Sequence, residues 1–239
     1  MNRLVGRMND RNRPVTRSGD DVYLHLLKAI TDQRLLPGTK LTEFSLVETF
    51  GIARRSVAAA LTRLAWEKLV TIVPNRGAFV AAPNADEARD IFLARSAIEA
   101  GTIEAIARRA DPVAIAAMEQ NVVEEAACRK AGKTREAIRL SGGFHLVIAQ
   151  HSGSPILAEQ VRLLVARTSL VIGLFENESG LSCWHDHHRD LIDHCRHGRV
   201  DAAVAEMKVH IAELQASIAL DRRRPTSFDL SEVFVEETH

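Results

Sequence analysis

The chain has 239 residues, enough for two domains that each bury a core, and no stretch approaches the roughly 20 consecutive apolar residues of a membrane helix. Its 31 basic and 31 acidic side chains cancel. The three cysteines (Cys128, Cys183, Cys195) have spacings that fit neither a zinc knuckle nor a disulfide framework, which predicts reduced thiols in a cytoplasmic, non-secreted protein.

The zero net charge hides a segregation along the chain. Residues 1–82 carry thirteen Lys and Arg against seven Asp and Glu, a balance of +6, whereas residues 83–239 carry eighteen against twenty-four, a balance of −6. An excess of positive charge allows the first part to neutralise nucleic-acid phosphates, which would repel the acidic part. The two parts are therefore predicted to have different roles.

Residues 1–19 are predicted to be a basic arm that is disordered in isolation. Five arginines lie there among Asn, Ser, Gly and Pro, with little apolar surface to bury. Two roles remain open for this arm, contact with the DNA backbone or maintenance of solubility.

Apolar residues then recur at helical spacing in three segments between residues 20 and 68. The first segment ends at Pro37-Gly38, and the second has Thr42 as its expected N-cap and Gly51 as its terminating turn. The third, residues 54–68, has an apolar face of Val57, Leu61 and Leu64. Its opposite face carries Arg54, Arg55, Ser56, Ala59 and Arg63. This order predicts a helix-turn-helix whose recognition helix is the third.

A β-hairpin is predicted directly after the recognition helix. The β-prone runs 69–73 and 78–80 flank Pro74-Asn75-Arg76-Gly77. A wing of this kind places Arg76 where it can enter a minor groove or contact phosphate, and Gly77 permits a close approach of the backbone. Residues 20–82 are thus predicted to form a winged helix-turn-helix with three helices and a hairpin wing.

Four motifs in this segment resemble the winged helix of the GntR family of bacterial regulators. They are Pro37-Gly38-Thr39-Lys40-Leu41-Thr42-Glu43, Phe50-Gly51-Ile52, Leu61-Thr62-Arg63-Leu64 and Pro74-Asn75-Arg76-Gly77-Ala78-Phe79-Val80. The resemblance implies that Arg54, Arg63, Arg76 and Gly77 contact DNA.

The recognition helix departs from the family pattern at one position. The family usually reads Arg-Thr-Pro-Val-Arg-Glu-Ala-Leu at its head, and the second of these arginines is Ala58 here. The contacts of that arginine are expected to be absent or shifted to Arg55, with Ser56 beside it. The alternative interpretation of all these arginines is a solvated helix face.

After Pro83 the sequence predicts an all-α bundle. Six amphipathic segments are separated by Gly- and Pro-containing breaks, and they cover about 85–110, 112–130, 133–151, 154–177, 184–197 and 200–222. The predicted fold class is therefore mainly α, with a helical domain over 83–222. Residues 223–239 are expected to be a tail.

Four polar side chains lie on the predicted inward stripes of these helices. Each occupies the i, i+3, i+4, i+7 face of its own segment, and the four are Arg95, His145, His188 and His210. Buried charge and imidazole are costly without partners, so the pattern favours a lined cavity. Three imidazoles are a plausible ligand set for a divalent transition metal such as zinc, although any one alone is more typical of a hydrogen-bonded core histidine. Arg95 suits a small carboxylate, or alternatively an internal ion pair with Glu99.

This second part resembles the FCD effector domain found in the FadR branch of the GntR family. The residues that carry the resemblance are Arg95-x-x-x-Glu99, Phe144-His145, Ser154-Pro155-Ile156-Leu157, His188 and His210. The resemblance implies an effector-binding and dimerisation domain whose metal-binding members use three His and an Asp four residues before the first. His145, His188 and His210 match, but the Asp position is Ser141, which is expected to be an effector-binding or weak metal contact.

Together these features predict a non-enzymatic, homodimeric repressor that binds double-stranded operator DNA and responds to a small organic acid, with a divalent metal, zinc, in the helical domain. Two alternatives remain. One is a regulator that senses the metal itself. The other is a metal-dependent hydrolase with an appended DNA-binding domain, which is disfavoured because the inward stripes show no acidic residue placed as a general base.

Overall fold

The computed structural model describes residues 19–175 and 184–220, without the side chains of residues 184–186. The predicted arm, apart from residue 19, and the predicted tail lie outside the described residues. Nine helices and one small sheet occupy the described ranges. The expected fold class, a winged helix-turn-helix followed by an all-α bundle, is confirmed.

The winged helix begins with three helices: α1 (Gly19–Thr31), α2 (Glu43–Phe50) and α3 (Arg54–Trp66). The ends of α2 are set by local chemistry. The hydroxyl of Thr42 accepts a hydrogen bond from the amide of Ser45, and Gly51 adopts a left-handed conformation at the C-terminus. This cap and turn place α3 against α1 with its apolar face buried.

The sheet has three antiparallel strands in the order β1-β3-β2: β1 (Lys40–Leu41), β2 (Val70–Val73) and β3 (Gly77–Val80). Val73 pairs with Gly77, and Gly77 has a φ of 100°, which favours glycine at the turn. The prediction of a hairpin alone was incomplete, because β1 adds a third strand against β3. Two residues are too few to show an alternating pattern, so β1 left no signal in the sequence.

The bundle contains α4 (Ala85–Arg109), α5 (Pro112–Lys130), α6 (Thr134–His151), α7 (Pro155–Phe175), α8 (Trp184–Arg196) and α9 (Val200–Ala216). Asn84 caps α4 through a reciprocal pair of bonds with Glu87. Asp111 caps α5 ahead of Pro112 at its first position. Within the described ranges, no helix combines the length and the apolar character needed to cross a membrane.

Helix α7 belongs to the cores of both domains. Leu164 and Val171 pack in the bundle core, whereas Ala166 and Leu170 pack in the core of the winged helix. A polar contact adds to this apolar one, because the guanidinium of Arg162 donates to the Tyr23 hydroxyl at 3.0 Å and to Glu67 at 3.2 Å. The winged helix is therefore packed directly on the helical domain.

The dual role of α7 leads to a stability prediction. Leu170 is 1% exposed, so Leu170→Ala should lower the free energy of unfolding by about 2–5 kcal/mol through lost burial and a residual cavity. Leu93, which is 70% exposed on α4, is the matched control, and Leu93→Ala should change it by less than about 0.5 kcal/mol. Urea denaturation measures both, and similar values for the two variants would contradict the packing of Leu170 of α7 in the core of the winged helix.

Candidate functional site

The head of α3 carries the predicted base-reading residues. Arg54 and Arg55 are exposed, and Ser56 is half-buried. The Nε atom of Arg54 lies 2.5 Å from a carboxylate oxygen of Glu43. An ion pair as exposed as this one contributes little stability, so phosphate can replace its acidic partner at little cost.

Arg63 lies on the side of α3 that faces α1. Its guanidinium carbon is 3.6 Å from the centroid of the Tyr23 ring, and an Nη atom is 3.4 Å from Asp20. The side chain remains half exposed. Arg63 is thus held by a cation–π contact while part of it stays accessible.

A groove of about 410 Å³ joins the recognition helix to the wing. It brings together Arg54, Ala58 and Gly77, and the aliphatic part of Lys40 approaches the same glycine. Arg76 is exposed in the turn of the wing. Ala58 occupies the position of the missing family arginine, so a short side chain stands in this groove where the family has a long one. Lys40, which belongs to the Pro37–Glu43 motif, was not among the predicted DNA contacts, and the structure places it in this groove.

The three predicted histidines converge in the interior of the bundle. His145 comes from α6, His188 from α8 and His210 from α9, and each is at most 2% exposed. One nitrogen of each ring lies within 4.8 Å of those of the other two. The Nε2 atoms of His145 and His210 are 3.2 Å apart. Two nitrogen ligands of a tetrahedral zinc ion are separated by about 3.3 Å when each Zn–N bond is about 2.05 Å.

Two buried carboxylates set the orientation of the His145 and His188 rings. An oxygen of Glu99 lies 2.5 Å from Nδ1 of His145, and an oxygen of Glu125 lies 3.2 Å from Nδ1 of His188. The carboxylates favour a proton on Nδ1 of each ring and leave Nε2 as the ligand atom. Phe144 stacks on His188 with the ring centroids 4.0 Å apart, which restrains that ring further.

The electrostatics of the cluster favour a neutral His210. Burial, followed by the charges of His145, His188 and Arg95, lowers the pKa of His210 well below its usual range. Nδ1 of His210 is buried and has no hydrogen-bond partner among the described residues. The Nε2 atoms of His145 and His210 face each other at 3.2 Å, and two nitrogen lone pairs at that distance need a proton or a cation between them. This donor set therefore fits a divalent transition metal.

Arg95 forms the ion pair that the sequence left open as an alternative. Its Nε atom donates to Glu99 at 2.6 Å, and both side chains are nearly inaccessible to solvent. Burial by itself raises the pKa of Glu99, but the charge of Arg95 and the contact with His145 outweigh it and hold the pKa at about 2. Nη1 of Arg95 reaches Thr168 at 3.4 Å, and its buried Nη2 has no hydrogen-bond partner in the described part of the chain. Arg95 thus keeps one donor for a ligand.

A cavity of about 480 Å³ reaches this cluster. Arg95, Ser141 and His145 line it, whereas His188 and His210 are not among its lining residues. Ser141 is 5% exposed, and it supplies a hydroxyl where metal-binding relatives supply a carboxylate. The predicted effector-binding pair therefore faces the same space as one of the three histidines.

Glu125 is a site residue that the sequence argument missed. It is fully buried on α5 and pairs with both His188 and Arg129. Its position could have been found, because Met118, Val122 and Glu125 follow the i, i+4, i+7 spacing of a buried stripe. Glu125 is thus an inward-facing acid, but its two ion pairs make it a support for His188 rather than a general base.

Two family profiles cover most of the described chain. The profile of the bacterial regulatory proteins, gntR family, matches residues 19–80, and the FCD domain profile matches residues 90–213. An HTH-type transcriptional regulator in an unstable DNA locus of Streptomyces ambofaciens is 30% identical over 196 residues, 80% of each chain. The HTH-type transcriptional repressor RspR of Escherichia coli K12 is 24% identical over 210 residues, 86% of this chain and 90% of the relative.

Solved structures share the fold at lower identity. A transcriptional regulator GntR from Rhodococcus sp. RHA1 superposes with a TM-score of 0.74 at 20% identity, over 83% of this chain and 95% of that one. E. coli McbR/YncC gives a TM-score of 0.74 at 18% identity with the same coverage. The profiles and relatives describe transcriptional regulators rather than enzymes. The chain belongs to the GntR family of bacterial regulators and is a DNA-binding transcriptional regulator with an FCD domain.

Proposed function

We propose that this regulator is a cytoplasmic homodimeric repressor whose affinity for its operator is set by a small carboxylate bound beside a divalent metal, zinc, in the FCD domain. The observation that carries the proposal is the convergence of three buried imidazoles next to a cavity in which Arg95 keeps a free donor. The E. coli relative RspR, named as a repressor, supports the sign of regulation.

DNA is read by α3 and the wing. Arg54, Arg55 and Ser56 at the head of α3 face base edges or the backbone in a major groove, with Arg63 at the side of the helix. Arg76 and Gly77 at the wing approach the adjacent minor groove or its phosphates. One such module reads too few base pairs for genomic specificity, so two copies bind a pseudo-palindromic site.

His145, His188 and His210 hold the metal through Nε2, with Ser141 in place of the family carboxylate. A bound divalent ion supplies two positive charges that neutral imidazoles do not cancel, and it polarises an oxygen ligand. The Arg95–Glu99 and Arg129–Glu125 pairs are each neutral overall. The loaded site thus carries a net positive charge, which selects an anionic effector, and Arg95 offers that effector a directional hydrogen bond.

The DNA-binding part is tested at the wing. Arg76→Ala should weaken binding to DNA from upstream of the chain's own operon by about 1–3 kcal/mol, roughly five- to 150-fold, at physiological salt. Arg89→Ala removes the same charge from an exposed site on α4 and should leave the affinity within about twofold. Fluorescence anisotropy measures both. Equal losses in the two variants would show that Arg76 acts only through total charge.

The metal site is tested through a residue that does not ligate the ion. Glu125→Gln should raise the dissociation constant for zinc about 10- to 100-fold, because the amide orients the His188 ring less firmly and lowers its basicity. Glu124 is adjacent and exposed and accepts a hydrogen bond from Gln120, so Glu124→Gln is the control. Competition with a chromogenic chelator measures both constants. Wild-type affinity in Glu125→Gln would argue against the proposed orientation of His188.

The cost of the buried ion pair can be measured against an exposed pair on the same helix. Arg95→Ala leaves Glu99 buried without its main cation and should lower the free energy of unfolding by about 3–5 kcal/mol. Arg108 pairs with Glu104 at 2.6 Å on the surface of α4, and Arg108→Ala should cost less than about 1 kcal/mol. Thermal unfolding of both proteins compares the costs, and a similar loss in each would contradict the buried pairing.

A further inference from the structure

The cavity that reaches the histidine cluster lies between the two domains. One wall comes from α1 of the winged helix, through Leu24, Leu27, Lys28 and Thr31. The opposite wall comes from α6 and α7 of the FCD domain. A molecule that fills this space therefore contacts the DNA-reading module as well as the sensor.

The two ends of the cavity differ in chemistry. Arg95, Ser141 and His145 are almost fully buried and mark its deep end. Leu24 is 56% exposed and marks the opening. Between them the walls are largely apolar, with Leu27, Val165 and Ile172 among the lining residues. A polar, donor-rich floor below apolar walls suits a ligand with an anionic head and an apolar body.

The size of the cavity also favours a ligand with an apolar body. Its volume of about 480 Å³ is in the range of sites that bury most of a small organic molecule. An acetate-sized acid at Arg95 would leave most of that space unfilled. A longer apolar acid would instead replace water along the α1 wall and gain the free energy of that burial.

Charged side chains around the cavity add a preference for anions and connect the domains. Lys28, Arg139 and Arg162 line it together with one acid, Asp32. Asp32 lies 3.1 Å from Lys28 and 3.8 Å from Arg139 of α6. Arg162 bridges to Tyr23 and Glu67 of the winged helix. The ligand would thus lie beside the polar contacts that orient α1 against α6 and α7.

We infer that the effector is a monocarboxylate with an extended apolar body, whose head binds at Arg95 and whose body packs on Leu24 and Leu27 of the DNA-reading domain. The effector then acts as part of the interface between reader and sensor, and its binding changes operator affinity by stabilising one orientation of α1. This inference rests on the proposed function, since it places the head beside the proposed metal site.

The first test is a chain-length series. Zinc-loaded full-length protein is titrated calorimetrically with straight-chain monocarboxylates from acetate to decanoate, and with the matching primary alcohols. Affinity should rise about fourfold for each methylene that becomes buried, and the alcohols should bind at least tenfold more weakly than the acids. A flat dependence on chain length would overturn the inference.

The second test asks whether the apolar body contacts the reader. The quantity compared is the ratio of the affinity for the longest acid that binds to the affinity for the shortest one. This ratio should be at least fourfold smaller in Leu24→Ala than in the wild type, because the ligand loses burial equivalent to one methylene. Leu93→Ala, which removes an exposed leucine on α4 away from the cavity, should keep the wild-type ratio. Equal affinity ratios in the two variants would show that the ligand does not contact α1.

The third test links the cavity to DNA. For each variant, operator affinity is measured with and without the longest acid that binds, and the ratio is compared. The ratio should approach one in Leu24→Ala and keep the wild-type value in Leu93→Ala. A ratio unaffected by Leu24→Ala would overturn the inference.

These outcomes are separable from a failure of the proposed function. Absence of zinc binding, or an operator response to zinc alone with no carboxylate effect, would count against the proposed function and indicate a metal-sensing regulator. If zinc and short acids bind but chain length has no effect, the proposed function stands and only the apolar contact with α1 is refuted.

Discussion

The burial of the Glu99 carboxylate constrains everything around the histidine cluster. Removing such a charge from water costs several kcal/mol, which only close and well-oriented partners offset. Arg95 and His145 are these partners, at 2.6 and 2.5 Å. Because Glu99 occupies Nδ1 of His145, the opposite nitrogen is turned toward His210. One buried carboxylate thereby determines both how Arg95 is held and which atom His145 can offer to a metal.

Helix α7 gives this interior a connection to the DNA-reading surface. Its residues belong to both cores, and Arg162 adds polar contacts with Tyr23 and Glu67. Packed interfaces of this kind shift between discrete arrangements rather than deform continuously. A ligand that changes how α1 rests on α6 and α7 therefore has a direct route to α3, since Tyr23 of α1 also lies under Arg63.

Features that depend on residues close together in the chain could be predicted from the sequence, whereas features that depend on distant partners could not. The periodicity of Val57, Leu61 and Leu64 predicted α3 because a helix repeats its face every three to four residues, whatever packs on it. The two-residue strand β1 was missed because it is defined by its partner β3. Glu125 was missed although it continues the stripe of Met118 and Val122, because carboxylates on helices usually face solvent and its partner His188 lies far away in the chain.

The sequence by itself determined the local features of this protein: the cap at Thr42, the amphipathic helices, the hairpin wing and the segregation of charge between the two parts. Only the tertiary structure decided that three imidazoles from α6, α8 and α9 meet, that Arg95 pairs with Glu99, and that α1 closes the cavity. Helical phase specifies the face on which a side chain lies. It does not specify the offset and angle at which two helices pack, and those two quantities set the distances between side chains that are far apart in the chain.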